Sequence, residues 1–570
     1  MNSSRPQYDL VIVGGGLAGL VGGVRATELG LRTLLLEKGD GDDYPCNSRQ
    51  SGGILHIFFH DPFRPAQELV NIVAKATDGE AKPQLAAALA ENGGRLISWL
   101  QAKGARFMRF NPQEGYRWCM APPRALRAGI DWQGRGPDVV LQGLARDFVA
   151  RGGTLRLRTR ATALIMEEGV CVGVRGQSES GEEEWYASHC LIADGGFQAD
   201  PELFQAHIGP GFDAVFQRGA RTGMGDGLKM AVAAGAALTE TNRFYGHLLC
   251  ADARNNDNVW PYPELDAIAT GGLVVDQTGR RVVDEGRSGV YLANALAALP
   301  ASSRFHVIFD GAIWEGPGKS ARIPANPLLE RANGTVLRAD TLEELAGKIG
   351  VPPQELRATV EGYQVALDNG TLDRLPVPRS ERIKPHPIAN PPFMAIPAVP
   401  GITYTMGGIA IDGHAQVLDK QGSPIRGLLA AGAATGGLEG GSNAVYIGGL
   451  IKAGSFGLIA AERVAELVKG AGVAGKNPLS SATTPALEST GAPVPHGLDR
   501  FPVLRATIRF GNAAALIAGL LAAVLTLWIS WPSWGTPQIV LAAVLALGVA
   551  LAIRSYTELV RLITELLIPD

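Results

Sequence analysis

The sequence predicts an α/β protein in which a discontinuous Rossmann-like domain carries an inserted α+β cap domain and a C-terminal transmembrane helical hairpin. Three observations predict this architecture: a glycine-rich turn between an apolar strand and a helix near the N-terminus, a second strand-then-helix stretch over residues 427–468, and a tract without charged residues over 510–553. Continuous apolar runs suit a parallel sheet covered on both faces, and a long uncharged tract suits a membrane.

The N-terminal unit reads DLVIV, then GGGLAGLVGGVRATELG, then RTLLLE. Gly14, Gly16 and Gly19 form G-x-G-x-x-G between strand and helix, and Glu37 closes the second strand. The glycines permit a tight turn, close approach of a pyrophosphate and close helix–strand packing, while the acid can accept from ribose hydroxyls. A purely structural turn is the alternative, but the full strand, turn, helix, strand and acid order indicates a dinucleotide site.

The expected dinucleotide is FAD rather than NAD, because the ribityl chain and ring system of FAD extend beyond one βαβ unit and further Gly-rich segments follow at 47–53, 193–197, 427–437 and 448–449. Besides the three glycines and Glu37, the predicted cofactor residues are Leu17, Ala18, Lys38, Asn47, Ser48, Gly52, Gly53, Ala161, Asp194, Gly195, Gly432, Gly448, Gly449, Leu450 and Ile451. The five scattered cysteines include no Cys-x-x-Cys, which argues against an iron–sulfur cluster, a structural zinc or c-type haem.

Composition changes divide the chain. We expect the Rossmann-like domain over residues 1–235 and 386–468, and the cap over 236–385, where LVVDQTGRRVVDE predicts a strand-turn-strand and residues 353–369 predict an amphipathic helix. The Gly/Ala/Ser/Thr/Pro-rich residues 469–499 predict a flexible linker. With 52 basic and 55 acidic residues, the chain shows no bulk bias toward nucleic acid.

Residues 500–570 predict a membrane anchor with spans at about 510–531 and 537–553. Trp528, Trp531 and Trp534 cluster at the turn between the spans, and arginines flank both outer ends. By the positive-inside rule, both ends and the main body then lie on the cytoplasmic side of the membrane. A pair of buried helices capping a soluble oligomer is the alternative.

The order of motifs over about residues 8–468 resembles the soluble fumarate reductase flavoprotein family, which includes succinate dehydrogenase flavoprotein subunits, tricarballylate dehydrogenase and the 3-ketosteroid dehydrogenases. The motifs are VIVGGGLAGL, NSRQSGG, IADGGF, TGMGDGLKMAVAAGA, GRRVVDE, TMGGIAID and GLLAAGAATGG with YIGG. The resemblance implies hydride exchange between a substrate carbon and flavin N5, proton transfer at the adjacent carbon, and a cap that closes over the flavin. The covalent-flavin members of the family carry a histidine in the Ser48 region, where Cys46-Asn47-Ser48 offers none, so the FAD is expected to be non-covalent.

The resemblance also implies site residues. His247 in FYGHLLC matches the position of a substrate-binding histidine in fumarate reductases. Arg287 is the best match to their proton-donating arginine, although its spacing from Glu285 is shorter than the corresponding spacing in those enzymes. Tyr404 and Tyr446 replace a histidine and an arginine of those enzymes, which argues against strict fumarate reduction and makes the steroid and tricarballylate enzymes closer models. Each tyrosine can bind a carbonyl or pack on the flavin.

Arg49, His56, His60 and Arg64 follow the NSR segment and predict either a cationic cluster for a polyanionic substrate or ordinary solvated side chains. Taken together, the sequence predicts a membrane-anchored, FAD-dependent oxidoreductase acting on a CH–CH bond of a small carboxylated substrate, with quinone or a membrane protein as electron partner. A 3-ketosteroid-type dehydrogenase and a non-catalytic flavin-bearing membrane scaffold are the alternatives.

Overall fold

The first strand, turn and helix form where the apolar pattern predicts them. The computed structural model describes residues 7–110, 114–123 and 128–474, together with residue 549. The strands of this part are β1 Tyr8–Val13, β2 Thr33–Leu36, β3 Ile54–Leu55, β4 Phe107–Met108, β5 Trp118–Met120, β6 Thr154–Arg156, β7 Arg160–Glu167, β8 Val170–Ser178, β9 Gly181–Ile192, β10 Phe216–Gln217, β11 Leu238–Thr239, β12 Phe244–Cys250, β13 Leu273–Val275, β14 Phe305–Asp310, β15 Leu337–Ala339, β16 Phe393–Thr405, β17 Gly408–Ile409, β18 Gln416–Leu418 and β19 Pro424–Ala430.

Fourteen α-helices accompany these strands in the described part of the chain. Their bounds are α1 Leu17–Glu28, α2 Asn47–Gln50, α3 Ala66–Ala76, α4 Pro83–Ala102, α5 Gly136–Ala150, α6 Pro201–His207, α7 Asp226–Ala233, α8 Asp266–Gly271, α9 Gly289–Ala297, α10 Gly311–Glu315, α11 Ala325–Arg331, α12 Leu342–Ile349, α13 Pro353–Asp368 and α14 Gly449–Ala474. The predicted cap helix over 353–369 is therefore confirmed as α13.

The main sheet aligns the carboxyl ends of its central strands at one edge. Strands β19, β9, β1, β2 and β6 lie side by side and run parallel, with β18 antiparallel at the end beside β19. Val13 is level with Leu36 and Ile192, and Ile192 is level with Ala430. The segments that follow these strands therefore meet at one edge of the sheet, where open α/β sheets bind ligands.

The cap is organised around the 13-residue strand β16. This strand pairs antiparallel with β12, β14 and β15 and parallel with β10. Tyr245 of β12 lies directly opposite Tyr404 of β16, and the register shifts between Tyr245 and Gly246. Strand β12 thus carries polar side chains to the end of the cap that faces the main sheet.

Two hydrophobic cores correct the predicted domain boundaries. Phe204 and Phe216 pack in the cap core rather than the first core, because β10 joins the cap sheet. The chain returns to the first core at Ile409 rather than at residue 386, because residues 393–405 form the central strand of the cap. The apolar pattern of a buried strand is the same in both sheets, so composition alone misplaced these segments.

The predicted linker begins later than expected, because residues 469–474 continue helix α14. The rest of the predicted linker and both predicted membrane spans lie outside the described residues. Among the residues that are described, every helix is too short or too polar to cross a membrane.

Candidate active site

A single cavity extends from the β1–α1 turn to the polar end of the cap sheet. One end is formed by the segments that follow β1, β2, β9 and β19, together with the 45–54 segment. The other end is formed by side chains of the cap and of the turn before α14. The cavity therefore joins the expected cofactor edge of the main sheet to a cluster of ionisable side chains.

The glycine-rich turn is shaped by close backbone approach. Gly14 has a φ of 100°, a conformation that favours glycine. A Cβ on Gly19 would lie 1.9 Å from the Gly14 carbonyl oxygen, so α1 can start beside β1 only with glycine there. Gly16 faces open space, with only the Ser48 Oγ within 4 Å of an added Cβ, and this leaves room for a pyrophosphate at the helix N-terminus.

Glu37 fixes the same turn. Its carboxylate accepts from the Gly15 N–H and from the Gly39 N–H, both at 2.7 Å, and the residue is buried yet lines the cavity. Tyr44 donates to the Gly15 carbonyl at 2.6 Å. The acid thus holds the loop in shape and keeps lone pairs for the ribose hydroxyls that the sequence motif predicts.

The second cofactor segment is held by its own side chains. Ser48 Oγ accepts from the Leu17 N–H at 3.1 Å, and the Asn47 amide donates to the Thr403 carbonyl at 2.8 Å. Asp194 accepts from the Gly227 N–H at 2.7 Å through one oxygen, while its other oxygen has no hydrogen-bond partner in the described chain. An unpartnered acceptor beside the glycine cradle fits a polar cofactor group.

Most predicted cofactor residues line the cavity. They are Gly14, Gly16, Leu17, Ala18, Glu37, Lys38, Asn47, Ser48, Gly52, Gly53, Ala161, Asp194, Gly195, Gly432, Gly449 and Leu450. Gly19, Gly448 and Ile451 do not, because Gly19 serves helix–strand packing, Gly448 lies against the His56 carbonyl, and Ile451 is fully buried in the first core. The glycine cradle, the acid and the length of the cavity fit FAD.

At the cap end, Tyr404 belongs to a buried network around Glu439. The Glu439 carboxylate accepts from the Tyr404 hydroxyl at 3.1 Å and pairs with Lys452 Nζ at 2.6 Å. It also accepts from the N–H groups of Ile447 and Gly448, both at 3.0 Å. Burial, together with the Glu439 charge, holds the pKa of Tyr404 well above its ordinary value, so this hydroxyl stays protonated.

Tyr446 offers a free hydroxyl to the cavity. Its oxygen accepts from the Gly449 N–H at 3.2 Å, and its own O–H has no acceptor among the described residues. Burial raises the pKa of Tyr446, which keeps the proton in place. Since an accepted hydrogen bond polarises the hydroxyl, Tyr446 can donate a strengthened hydrogen bond to a group bound in the cavity.

A third group links a tyrosine, a histidine and a carboxylate. Asp266 lies 2.5 Å from His247 Nδ1, and the Tyr245 hydroxyl lies 2.9 Å from His247 Nε2. The Tyr245 ring stacks on the Tyr446 ring with centroids 4.1 Å apart. Because Asp266 holds the proton on Nδ1, Nε2 is the acceptor for the Tyr245 proton.

Arg287, the predicted proton donor, lies outside the cavity lining. Its guanidinium contacts Asp284 at 3.2 Å and Asn443 at 3.1 Å and stacks on Tyr291 at 4.5 Å. Arg287 follows Glu285 by only two residues, and its side chain stays beside its own loop, where it pairs with Asp284. The structure therefore does not bring Arg287 together with His247, Tyr404 and Tyr446, which do meet at the cavity.

The predicted cationic cluster is also not assembled at the cavity. Arg49 is fully buried and ion-paired with Asp138, Arg64 pairs with Glu114 at 2.6 Å, and His60 bonds the Phe58 carbonyl. Only His56 lines the cavity, and burial lowers its pKa to about 4, so it is neutral at pH 7. Its Nδ1 accepts from the Phe59 N–H at 3.0 Å.

Several lining residues escaped the sequence analysis. They are Phe59, Tyr116, Arg218, Tyr245, Tyr262, Glu264, Asp266 and Arg322. Tyr245 lies two positions before His247 on one strand, so alternation along β12 could have indicated that both share a face. Arg322, in the sequence GKSARIP, has no local signal, because only the cap fold brings it to the cavity.

The turn, acid and glycine cradle at one end, with proton-carrying side chains at the other, define a flavoprotein oxidoreductase. The chain belongs to the FAD binding domain family, whose model matches residues 9–445. The predictions of FAD as cofactor and of an FAD-dependent oxidoreductase are confirmed, and the relatives fit the predicted fumarate reductase flavoprotein family.

Known relatives share most of this chain. It is 30% identical to an NADH:acrylate oxidoreductase of Vibrio harveyi, over 65% of this chain and 36% of the relative. It is 26% identical to an NADH:fumarate oxidoreductase of Klebsiella pneumoniae (strain 342), over 82% and 49%. It is 26% identical to a 4-oxocyclohexanecarboxylate 2-dehydrogenase of Sinomonas cyclohexanicum, over 76% and 89%. The chain thus spans from about a third to a half of the length of the first two relatives.

The fold is shared with a solved steroid enzyme. The crystal structure of 3-ketosteroid delta1-dehydrogenase from Sterolibacterium denitrificans superposes with a TM-score of 0.63 at 20% identity, covering 81% of this chain and 99% of that one. At this identity the likeness shows the fold alone.

Gly19→Ala tests the cradle. The added Cβ would meet the Gly14 carbonyl at 1.9 Å, so the turn must move, and we expect FAD affinity to fall about 10- to 100-fold. Retained FAD after gel filtration and a fluorescence titration of apoprotein with FAD measure this. Gly143→Ala is the matched control, because it lies in α5 with no atom within 4 Å of the added Cβ. Equal FAD affinity in both variants would contradict this account of the turn.

His56→Gln tests the neutral buried histidine. With a folded-state pKa of about 4 against 6.5, His56 binds fewer protons in the folded protein, so its contribution to stability is full above pH 6.5 and is lost as the pH falls toward 4. That loss is about 3 kcal/mol. In His56→Gln, the free energy of unfolding measured in urea should decline by about that much less between pH 6.5 and 4. The exposed His414→Gln should decline as the parent does.

Proposed function

We propose that this protein is a FAD-dependent dehydrogenase or reductase that acts on a carbon–carbon bond next to a carbonyl group of a small, carboxylated substrate. The observation that carries the proposal is the free Tyr446 hydroxyl, which is polarised by the Gly449 N–H and faces the cavity between the cofactor end and the cap. A donor of this kind binds a carbonyl oxygen and stabilises the negative charge that develops on it when the adjacent carbon loses a proton.

The second requirement is a group that takes or returns that proton. Tyr245 stacks on Tyr446, and its hydroxyl is bonded to His247 Nε2 at 2.9 Å. His247 can accept the Tyr245 proton because Asp266, 2.5 Å from Nδ1, stabilises the imidazolium that results. Tyr245 is therefore the candidate acid–base at the carbon next to the carbonyl, with His247 and Asp266 behind it.

When bound, FAD supplies the acceptor or donor of the hydride at the neighbouring carbon. The chain positions the substrate for that exchange through Tyr446 on one side and Tyr404 on the other, since Glu439 orients the Tyr404 hydroxyl and keeps it protonated. Burial raises the pKa of Tyr245 as well, but of the three tyrosines it is the one whose hydroxyl is bonded to a histidine. That contact assigns the proton exchange to Tyr245.

A small substrate with a carboxylate is favoured by one cation on the cavity wall and by the relatives. Arg322 lines the cavity without an ion-pair partner among the described residues, whereas Arg218 is paired with Glu264. Acrylate, fumarate and 4-oxocyclohexanecarboxylate, named for three relatives, all carry a carboxylate. The last of these also carries the ring carbonyl that Tyr446 is suited to bind.

Tyr446→Phe tests the proposed function. We expect the variant to keep FAD and to lose about 10²- to 10³-fold in the rate of flavin bleaching, because one donor to the developing charge is removed. The measurement is anaerobic stopped-flow mixing of the oxidised protein with 4-oxocyclohexanecarboxylate and with a steroid enone, and of the reduced protein with fumarate and acrylate. The exposed Tyr186→Phe is the matched control.

The outcomes separate the candidates. Reaction with a carboxylated compound supports the proposal, and reaction with the steroid alone would establish the 3-ketosteroid-type alternative. A flavin that exchanges electrons with none of these compounds would favour a non-catalytic flavin-bearing scaffold. Unchanged rates in Tyr446→Phe would remove this residue from the mechanism.

We further propose that residues 510–531 and 537–553 attach the protein to a membrane with the catalytic part on the cytoplasmic side, and that quinone or a membrane protein is its electron partner. The support is the uncharged sequence of 510–553 and the arginines that flank it. A chain ending at residue 474 should be recovered away from membranes and keep its FAD, whereas the full chain should sediment with them and require detergent. A full chain found away from membranes without detergent would contradict this proposal.

A further inference from the structure

Arg322 is a cation on the cavity wall without an acidic partner. It lies on the cap segment before α11 and is half-buried, with its guanidinium carbon 4.8 Å from the Phe110 ring centroid and 5.6 Å from that of Tyr262. Across the described parts of the chain, no carboxylate lies within ion-pair distance of it. Its guanidinium also lies close against Gly52, at the border between the cofactor segment and the cap.

The other arginines near the active site are engaged. Arg218 is almost fully buried and bonds Glu264 at 3.2 Å, the Pro261 carbonyl at 2.9 Å and the Thr403 hydroxyl at 3.0 Å. The charge of Glu264 also acts on Arg322, but this carboxylate is already paired with Arg218. The charge of Arg322 remains available to a ligand.

A second buried guanidinium adds to the local positive charge. Arg135 donates to the carbonyls of Ser51 at 3.3 Å and Gln50 at 3.5 Å, and its Nε has no partner in the described residues. Burial is the main cause that lowers the pKa of Arg135 to about 10, and the like charge of Arg322 contributes to the lowering, against the opposing charges of Asp131 and Asp138. Because the positive charge of Arg322 acts on Arg135, an anion bound at Arg322 would also relieve this repulsion.

We propose that Arg322 binds the carboxylate of the substrate, which makes the substrate an oxo acid held by its carbonyl at Tyr446 and by its carboxylate at Arg322; this assignment rests on the proposed function. The planar guanidinium can hold both carboxylate oxygens at once. Phe110 and Tyr262 limit the access of water to the pair, which strengthens it. Since Arg322 belongs to the cap and Tyr446 to the turn before α14, such a ligand bridges the two parts of the molecule.

Binding of compounds that cannot react tests this assignment apart from turnover. The probes are cyclohexanecarboxylate and its neutral counterpart cyclohexanecarboxamide, neither of which has a ketone, and the measurement is isothermal titration calorimetry on the FAD-loaded full chain. We expect the carboxylate to bind about 10- to 100-fold more tightly than the amide. Arg322→Gln should abolish that preference, and Arg322→Lys should keep part of it because the charge remains without the forked geometry.

The matched control is Arg331→Gln, which removes an exposed arginine nine positions further along the cap and should keep the full preference. FAD content and circular dichroism report whether each variant is folded. A preference retained in Arg322→Gln, or a parent protein that binds neither probe, would overturn the assignment.

The two proposals fail in different ways. If the carboxylate preference depends on Arg322 but no oxo acid or enoate changes the flavin spectrum, the proposed reaction is wrong and the anion site stands. If 4-oxocyclohexanecarboxylate bleaches the flavin with the same KM in Arg322→Gln as in the parent, the reaction stands and the anion site is wrong.

Discussion

The active site depends on one buried ion pair, between Glu439 and Lys452. Both residues are almost fully buried, and the Glu439 carboxylate also accepts from Tyr404 and from two backbone N–H groups of the turn before α14. A buried carboxylate is stable only when it is paired and hydrogen-bonded in this way. Because one group holds the last residues of the central cap strand, the turn that carries Tyr446 and the first turn of α14, these three elements are fixed relative to one another.

The rest of the site follows from where strands end. The carboxyl ends of β1, β2, β9 and β19 lie at one edge of the main sheet and present the cofactor segments there. The end of β16 reaches the same place from the cap, and its partner β12 brings Tyr245 and His247 beside it, where Asp266 at the start of α8 meets His247. The cofactor end and the residues proposed to exchange a proton are thus carried by different parts of the fold, and Glu439 connects them.

Part of this could be predicted from the sequence. The glycine motif, Glu37, Tyr404 and Tyr446 are found by local pattern or by resemblance, because strand, turn and helix have short-range signatures. Arg287 was misplaced because its side chain pairs with Asp284 on the same loop instead of reaching the cavity. Arg322 could not be found, since no local pattern shows which cap loop closes over a cavity formed by residues far away in the chain.

The helix boundary at residue 474 has a similar cause. The glycine and alanine residues of 469–474 are typical of a linker. Helix α14 nevertheless continues through them, because the buried face of its earlier turns stabilises the helix. The same limit explains the cap boundaries, because a buried apolar strand looks alike whichever core covers it. Local composition therefore predicted where strands and helices lie along the chain better than it predicted which sheet or core each of them joins.

The register between β12 and β16 has a consequence for how such a protein diverges. A shift of one residue along β12 would send Tyr245 and His247 to the opposite face of the sheet, because side chains alternate along a strand. Insertions and deletions are therefore intolerable in these two strands, whereas the segment around Arg322 is a loop that can change length and charge. During evolution, the positions of Tyr245 and His247 would therefore stay fixed, while changes in the cap loops would alter which substrate binds.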